Sequence, residues 1–450
     1  MNKVDLLVAE IGSTTTVVSA FQGIGGQTPT LLGQGQAPTT VDRGDVNLGL
    51  EQALAELREE LGVSSLEWEE FFATSSAAGG LKMTVHGLVY DMTVKAAREA
   101  ALGAGAVIRQ VTAGRLRPSK LEKIKALEPN IILLAGGVDY GEEEVILHNA
   151  RLLSQLKEPV PVIYAGNVAI KEEIQEIFSA GEMELMVVDN VYPEVDQFNI
   201  KPTREAIQRV FEKHIIKAPG LGGITGLVDG SIMPTPGAVM AAAELLREEM
   251  GDLVAVDVGG ATTDVHSVAD LSPGMEGMVL TPEPVSKRTV EGDLGVFINA
   301  GNVVEMLGRE RMEEELGFSL PPVLEDLSPL PRNEREEGLL NYITREVVRI
   351  ALTRHAGSYR RIYSPGGIKH MVEGKDLTGV KWIIGTGGVL SQSPAAREVL
   401  KLIRDADQSL LLPPEEARVL IDSQYIMAVT GVMSSKYPEA ALKLLQESLL

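Results

Sequence analysis

Apolar residues in this chain come as short unbroken runs that alternate with longer stretches of helical period. Val4 to Ile11 is such a run, the pattern of a strand buried on both faces, and Thr16 to Phe21 follows as its hairpin partner. Gly12, Ser13, Thr14 and Thr15 join the two. The arrangement recurs when Leu253 to Val258 and Asp264 to Ala269 flank Gly259, Gly260, Ala261 and Thr262. Laid over one another, Glu10 meets Asp257, Gly12 meets Gly259, Thr15 meets Thr262 and Thr16 meets Thr263. A second pair repeats as well. Ile131 to Ala135 runs into Gly136-Gly137-Val138, and Trp382 to Ile384 runs through Gly385-Thr386 into Gly387-Gly388-Val389. The separation from Gly12 to Gly136 nearly equals that from Gly259 to Gly387, so the spacing predicts duplicated domains.

Between these markers helices and strands alternate. Helical period marks Leu48–Leu61, Val94–Val107, Ile170–Ser179, Thr203–Ile216, Ala238–Met250 and Phe297–Leu307. Further strands are expected at Trp68–Thr74, which enters the small-residue turn Ser75 to Gly80, and at Val160–Ala165 and Leu185–Val188. Pro and Gly cluster from Ala218 to Gly237, the expected hinge. Leu320 to Arg335, rich in Pro and acid, reads as an exposed loop, and Glu415 to Leu450 as two helices broken near Tyr437-Pro438. The fold class is mixed α/β. The expected division is a first lobe over 1–158, extra α/β material and hinge over 159–230, and a second lobe over 231–450.

Composition narrows the chemistry. At 450 residues, more than one core is expected. The net charge of −22 opposes a nucleic-acid role, which draws on Lys and Arg against phosphates, and favours solubility. The same field repels nucleotides, so a phosphate site here has to use backbone N–H groups, hydroxyls and a metal ion. There is no Cys, which removes disulfides, thiolate catalysis and zinc knuckles together. The six His residues lack ligand spacing and read as structural. The apolar run at the N-terminus is too short for a signal peptide and no window has membrane-spanning length, so the chain is expected in the cytoplasm.

A tight turn of Gly, Ser and Thr points several N–H groups into one concavity, a natural anion site. Glycine admits close approach of a phosphate, and the hydroxyls each add a donor. An acid just before the turn can hold Mg²⁺ or orient an attacking water. Two such hairpins facing each other would grip the β- and γ-phosphates of ATP from both sides. Asp257 and Glu10 are the candidate metal and catalytic acids, with Asp264 flanking the second turn. Gly12, Ser13, Thr14 and Thr15 form one phosphate loop, and Gly259, Gly260, Ala261, Thr262 and Thr263 the other. The Gly385-Thr386-Gly387-Gly388 turn would let adenosine lie against backbone. Glu291 and Asp293 precede the helix near Phe297 and could stand beside the nucleotide, or Asp293 could simply cap that helix. Lys82 could reach a phosphate or stay solvated. Each hairpin alone also has a plainer explanation, because turns need glycine and strands favour threonine.

These motifs resemble the two phosphate motifs and the adenosine motif of the actin, sugar-kinase and Hsp70 superfamily. More closely, the chain resembles the glutamate mutase L family, also called MutL and distinct from the mismatch-repair protein of that name. The resembling stretches are VAEIGSTTTVVSAF from Val8, SSAAGGLKM from Ser75, LLAGGVDYG from Leu133, VDVGGATTDVHSV from Val256, RTVEGDLGV from Arg288, IIGTGGVL from Ile383 and YPEAALKLL from Tyr437. The resemblance implies a duplicated actin-like ATPase (ribonuclease H-like) fold with two lobes around a nucleotide cleft. It implies binding of ATP or ADP with Mg²⁺. It further implies a chaperone-like role, reactivating an adenosylcobalamin-dependent mutase such as glutamate mutase or an aminomutase. Glu10 stands where the superfamily usually has Asp, which points to slow, switch-like hydrolysis. A small-molecule kinase of the same fold and a non-hydrolysing scaffold are the rival readings, and a homodimer is left open.

Overall fold

In the computed structural model, residues 3–26, 28–40, 45–76, 81–156, 159–181, 183–215, 228, 232–328, 331–364, 367–401 and 409–449 are described. The apolar run at the N-terminus is strand β1 (Lys3–Ile11), which turns back into β2 (Thr15–Gln22) and then β3 (Thr30–Pro38). β4 (Glu67–Ser75) lies parallel to β1 on its other side. The chain next builds β5 (Lys82–Gly87), β6 (Val107–Ala113), β7 (Ile131–Leu134), β8 (Val162–Tyr164) and β9 (Leu185–Val187) before returning with β10 (Ile232–Pro234), parallel to β4. The second half repeats the plan with β11 (Leu253–Val258), β12 (Thr263–Val268) and β13 (Ser286–Glu291). A two-stranded ribbon, β14 (Ser358–Ser364) and β15 (Gly367–Glu373), precedes β16 (Trp382–Thr386) and β17 (Arg418–Ile421).

The two main sheets have the orders β3-β2-β1-β4-β10 and β13-β12-β11-β16-β17. In each, two antiparallel pairings are followed by two parallel ones. Identical order and direction make these two copies of one ribonuclease H-like lobe, the duplicated actin-like fold that the resemblance implied. The register sets Glu10 opposite Val17 and Asp257 opposite Asp264.

The repeat is placed differently from the expectation, however. The counterpart of β16 is β4, not β7. β7 belongs to a third sheet, β6-β5-β7-β8-β9, whose strands all run parallel. Gly136-Gly137 therefore lies outside the duplicated lobe. The boundary expected at 158/159 falls inside this inserted sheet, between β7 and β8. β10, beyond the boundary expected at 230/231, still pairs with the first lobe. Most of the expected hinge, 218–227 and 229–231, lies outside the described residues, as does 77–80 of the turn after β4. Leu320–Arg335 is not wholly loop: it holds the helix Pro321–Glu325 with Leu320 and Val323 buried, and Asn333 caps the long helix Glu334–His355. The tail holds β17 as well as the helices Met427–Met433 and Pro438–Ser448. Among the described residues, no helix is long and apolar enough to cross a membrane.

Alternation along the central strands divides the core. Leu7, Ala9 and Ile11 face one cluster with the helix Asn47–Glu60, while Val254, Val256 and Val258 face another with the helix Glu334–His355. Leu6 and Val8 turn the other way, as do Leu253 and Ala255, and these share a third cluster that joins the lobes. The helices Thr235–Met250 and Met427–Met433 fill it. The first starts with Pro in its first turn, where the missing N–H is harmless, runs through an Ala-rich stretch and ends at Gly251 with φ 83°. The helices cross closely because Gly431 meets Ala238: a Cβ on Gly431 would lie 1.9 Å from the Ala238 carbonyl oxygen. Ala is the better helix former by about 1 kcal/mol, yet Gly431→Ala is expected to destabilise by about 1–3 kcal/mol through overpacking. A lower urea midpoint at unchanged slope checks this; a higher midpoint would show that helix propensity, not the crossing, governs the position.

Candidate functional site

The two glycine–threonine turns abut. A Cβ built on Gly260 would lie 3.0 Å from Thr14 Cγ2 and 3.2 Å from Thr14 Oγ1, so the first turn seats its threonine in the space that a bare Gly260 leaves. Each turn is closed by its own glycine: the Gly12 N–H donates to the Thr15 carbonyl (2.9 Å), and the Gly259 N–H to the Thr262 carbonyl (2.9 Å).

Each turn is also held from behind by the segment that follows its third strand. After β3, the Thr39 N–H donates to the Thr14 carbonyl (2.9 Å) and its hydroxyl to the Gly12 carbonyl (2.9 Å). After β13, the N–H groups of Val296, Phe297 and Ile298 donate to the carbonyls of Gly259 and Gly260, and the Asn299 amide to the Ala261 carbonyl (2.6 Å). Gly295 permits this approach, since its Cβ would fall 2.4 Å from the Ala261 oxygen. With most turn carbonyls taken, the amides of Ser13, Thr14, Gly260, Ala261 and Thr262 have no acceptor among the described residues. Unpaired amides in a concavity attract an anion.

The acids stand at the mouths of these turns. Glu10 is buried; its Oε1 accepts the Tyr425 hydroxyl at 2.9 Å, and its Oε2 has no partner among the described residues. Burial, and then the charge of Asp257, push its carboxyl up to about 8, against the pull of Tyr425. Asp257 touches the Gly385–Gly388 turn, for a Cβ on Gly387 (φ 92°) would lie 2.6 Å from its Oδ1. Burial, then Asp264, raise Asp257 to about 7 against the pull of Arg288. A buried carboxyl held protonated beside the charge of Asp257, with one oxygen orphaned, suits a divalent cation shared with Asp257. No cluster of three or more His, Asp or Glu able to cage a metal occurs among the described residues. Glu10 and Asp257 therefore fit Mg²⁺, which keeps several waters and takes phosphate oxygens, better than an ion needing an all-protein shell.

The other expected residues divide between support and surface. Asp264 is committed: Arg288 pairs with its Oδ1 at 2.6 Å, and Thr262 Oγ1 donates to its Oδ2 at 3.0 Å. It is thus a brace, not a free catalytic acid. Thr263 is buried and donates to the Leu294 carbonyl (2.7 Å). Glu291 pairs with Arg354, and Asp293 is exposed; Asn299, not Asp293, heads the helix Ala300–Leu307. Gly385 is buried beneath its turn, and the Thr386 hydroxyl donates to Asp422 Oδ2 (2.8 Å). Gly388 is open on its Cβ side and lines a pocket of about 340 Å³ with Pro331, Leu340, Asn341 and Gln392. The cleft containing Thr14, Thr15, Gly260 and Tyr425 shares Leu340, Gly388, Val389 and Gln392 with that pocket, so one path runs from the turns to the glycine pair. Lys82 is exposed at the amino end of β5 in the inserted sheet.

Five contributors escape the sequence reading: Thr39, Arg288, Asn299, Asp422 and Tyr425. Buried Asp422 accepts from Thr386, Ser448 and the amides of Ile426 and Met427, which places Tyr425 (φ 52°) at the cleft. No local pattern announces partners so distant in the chain.

Fold and site together define a two-lobed protein of the actin-like ATPase fold. Residues 6–449 match the model of the MutL protein family, and the chain belongs to that family. It is 36% identical over 460 residues to Protein MutL of Clostridium tetanomorphum, covering 99% of each chain. Among solved structures it is similar to a nucleotide-free acetone carboxylase (TM-score 0.39, 11% identity, 96% of this chain and 70% of that one). It is also similar to a nucleotide-free diol dehydratase-reactivating factor (TM-score 0.37, 11% identity, 96% and 99%).

The raised carboxyl gives a test by pH. Folded Glu10 keeps its proton up to about 8, whereas its ordinary value is 4.5, so the folded state binds more protons in that window and stability falls as pH rises. Without Mg²⁺ or nucleotide, Glu10→Gln removes this term. The variant's Tm is expected to exceed wild type by a margin that widens between about pH 5 and pH 8. A constant or shrinking margin would refute the assignment.

Proposed function

We propose that this protein is an ATP-driven reactivating factor for an adenosylcobalamin-dependent mutase, working by slow hydrolysis. The observation that carries the nucleotide reading is the contact of Thr14 with Gly260, which brings two sets of free amides to one cleft. Membership of the MutL family, with its resemblance to the glutamate mutase L proteins, supports the partner.

On this reading the amides of Ser13 and Thr14 bind phosphate oxygens from one lobe, and those of Gly260, Ala261 and Thr262 from the other. Glu10 and Asp257 would hold Mg²⁺, which would supply charge neutralisation for the phosphates. Asp257, the less buried acid and the one beside Gly387, orients the attacking water. Gly388 and its pocket receive the adenosine. Because the donors come from both lobes, a γ-phosphate favours the closed arrangement and its loss relaxes it. That movement opens the partner at its cobalamin site. The acidic chain needs no cation of its own in the turns, since amide dipoles do not depend on side-chain charge.

Two measurements check this. Mutase inactivated with cyanocobalamin should recover activity when mixed with this protein, Mg²⁺ and ATP, and not with a non-hydrolysable analogue; absence of recovery with every cognate mutase overturns the partner. Asp257→Asn should lower ATP turnover by about 100-fold or more while ADP binding survives. Turnover within a few-fold of wild type would remove Asp257 from the reaction.

A further inference from the structure

Tyr425 stands in the left-handed region of backbone space, at φ 52°, where a bulky side chain is rare. Asn and Asp take that conformation most readily after glycine, so the turn itself does not ask for tyrosine. Such positions persist only where the surroundings over-determine them, and they gather at functional sites. Asp422 supplies the surroundings here. Its Oδ2 accepts the Thr386 hydroxyl (2.8 Å) and the Met427 N–H (2.9 Å), and its Oδ1 the Ser448 hydroxyl (2.6 Å) and the Ile426 N–H (3.1 Å). The Tyr425 N–H closes the turn on the Asp422 carbonyl at 3.1 Å. One buried carboxylate thus fixes both the Gly385–Gly388 turn, through Thr386, and the loop that carries Tyr425.

From that loop the side chain lines the cleft with Thr14, Thr15 and Gly260. Its hydroxyl crosses from the second half of the chain to the first and donates to Glu10 Oε1 at 2.9 Å. The other oxygen, Oε2, is buried without a partner among the described residues. Glu10 and Asp257 hold equivalent places, near the ends of β1 and β11. They differ in length. A glutamate has one more rotatable bond than an aspartate, and so more freedom to lose before its carboxyl serves a fixed point. Asp257 has no hydroxyl donor among the described residues, whereas Glu10, the longer acid, receives one. A donor on one carboxylate oxygen commonly aims a ligating carboxylate and leaves the second oxygen for the ion.

We propose that Tyr425 is a positioning residue for the cation, a hydroxyl of the second lobe that aims the first lobe's acid so that Glu10 presents Oε2 to the ion. This rests on the nucleotide reading above, in which Glu10 and Asp257 would share Mg²⁺. The hydroxyl acts through Glu10 and does not itself ligate. Because donor and acceptor belong to different halves, the grip on the cation depends on the lobes standing together. The bond from Thr386 to Asp422 ties that grip to the Gly385–Gly388 turn as well. A tyrosine kept only to fill the cleft would do so equally well without its oxygen.

Tyr425→Phe keeps the ring and removes the oxygen. Mn²⁺, whose free ion loses its electron paramagnetic resonance signal on binding, titrates the site in the full chain. ADP is held below the protein concentration so that it stays bound, and calorimetry gives its affinity without metal. Tyr425→Phe is expected to weaken Mn²⁺ binding by about tenfold or more, the usual cost of losing the group behind a metal ligand, and to leave metal-free ADP binding unchanged. Glu10→Gln supplies the second arm. Since the hydroxyl acts through the carboxylate, adding Tyr425→Phe to Glu10→Gln should weaken Mn²⁺ binding no further. Equal Mn²⁺ affinity in wild type and Tyr425→Phe, or the same loss whether residue 10 is Glu or Gln, overturns the positioning role and leaves the nucleotide reading standing. A parallel loss of metal-free ADP binding also overturns it, by showing a packing role. Wild type that binds neither ADP nor Mn²⁺ overturns the nucleotide reading, and this role with it.

Discussion

The structure turns on where the carbonyl oxygens of two short turns point. A glycine–threonine turn presents donors and acceptors alike, and an acceptor facing the cleft would repel any anion that the donors attract. In both lobes the segment after the third strand removes the acceptors. Thr39 does so with one amide and one hydroxyl, and residues 296–299 with three amides and a side chain. The same topological position thus solves the same electrostatic problem twice with unrelated residues. What faces the cleft is then a set of amide dipoles, whose attraction for anions owes nothing to the charge of the chain.

That account explains which parts of the site were legible in the sequence. The turns were legible because their chemistry is local: an acid, a glycine and a run of hydroxyls bounded by apolar strands. The pinning residues were not, since Thr39, Asn299 and Arg288 look like ordinary loop and strand positions until the third strand brings them behind the turns. Gly136-Gly137 misled for a physical reason. A buried strand running into a glycine pair serves an adenosine turn and also the close backbone approach at the end of an inserted parallel sheet, and spacing alone does not separate the two. The true counterpart of β16, strand β4, ends in Ser75-Ser76 without a glycine pair at that point. β13 (SKRTVE) went unseen because it is polar, its buried Arg288 paired with Asp264.

The lobes are joined by two kinds of contact with opposite mechanical character. Behind the cleft, Leu6 and Val8 share one apolar cluster with Leu253 and Ala255, filled by close-crossing helices that resist separation. At the cleft the contacts are few and polar: Thr14 on Gly260, and Tyr425 of the second half on Glu10 of the first. The seam is thus well packed behind and sparsely held in front. The Tyr425–Glu10 bond adds a chemical condition, since the oxygen that accepts it belongs to the same carboxyl proposed to hold Mg²⁺. Loading the site and tethering the tail therefore draw on one group.

The remaining step concerns how a change at the second turn reaches the inserted sheet. Asp264, fixed by Thr262 inside that turn, pairs with Arg288, and Arg288 donates its other end to the Leu102 carbonyl at 2.9 Å. Leu102 lies in the last turn of the helix Lys95–Gly103, and that helix continues directly from the Tyr90–Val94 turn, which carries Tyr90 at the carboxyl edge of the inserted sheet. Lys95 of the same helix pairs with Glu283 just ahead of β13, with Lys287 on the same carboxylate. Both ion pairs are largely shielded from water, so they hold position more firmly than surface pairs do. One helix thus has Arg288, which braces the second turn, at one end and the exposed Tyr90 at the other. Its contacts form one continuous path from β13 to Tyr90.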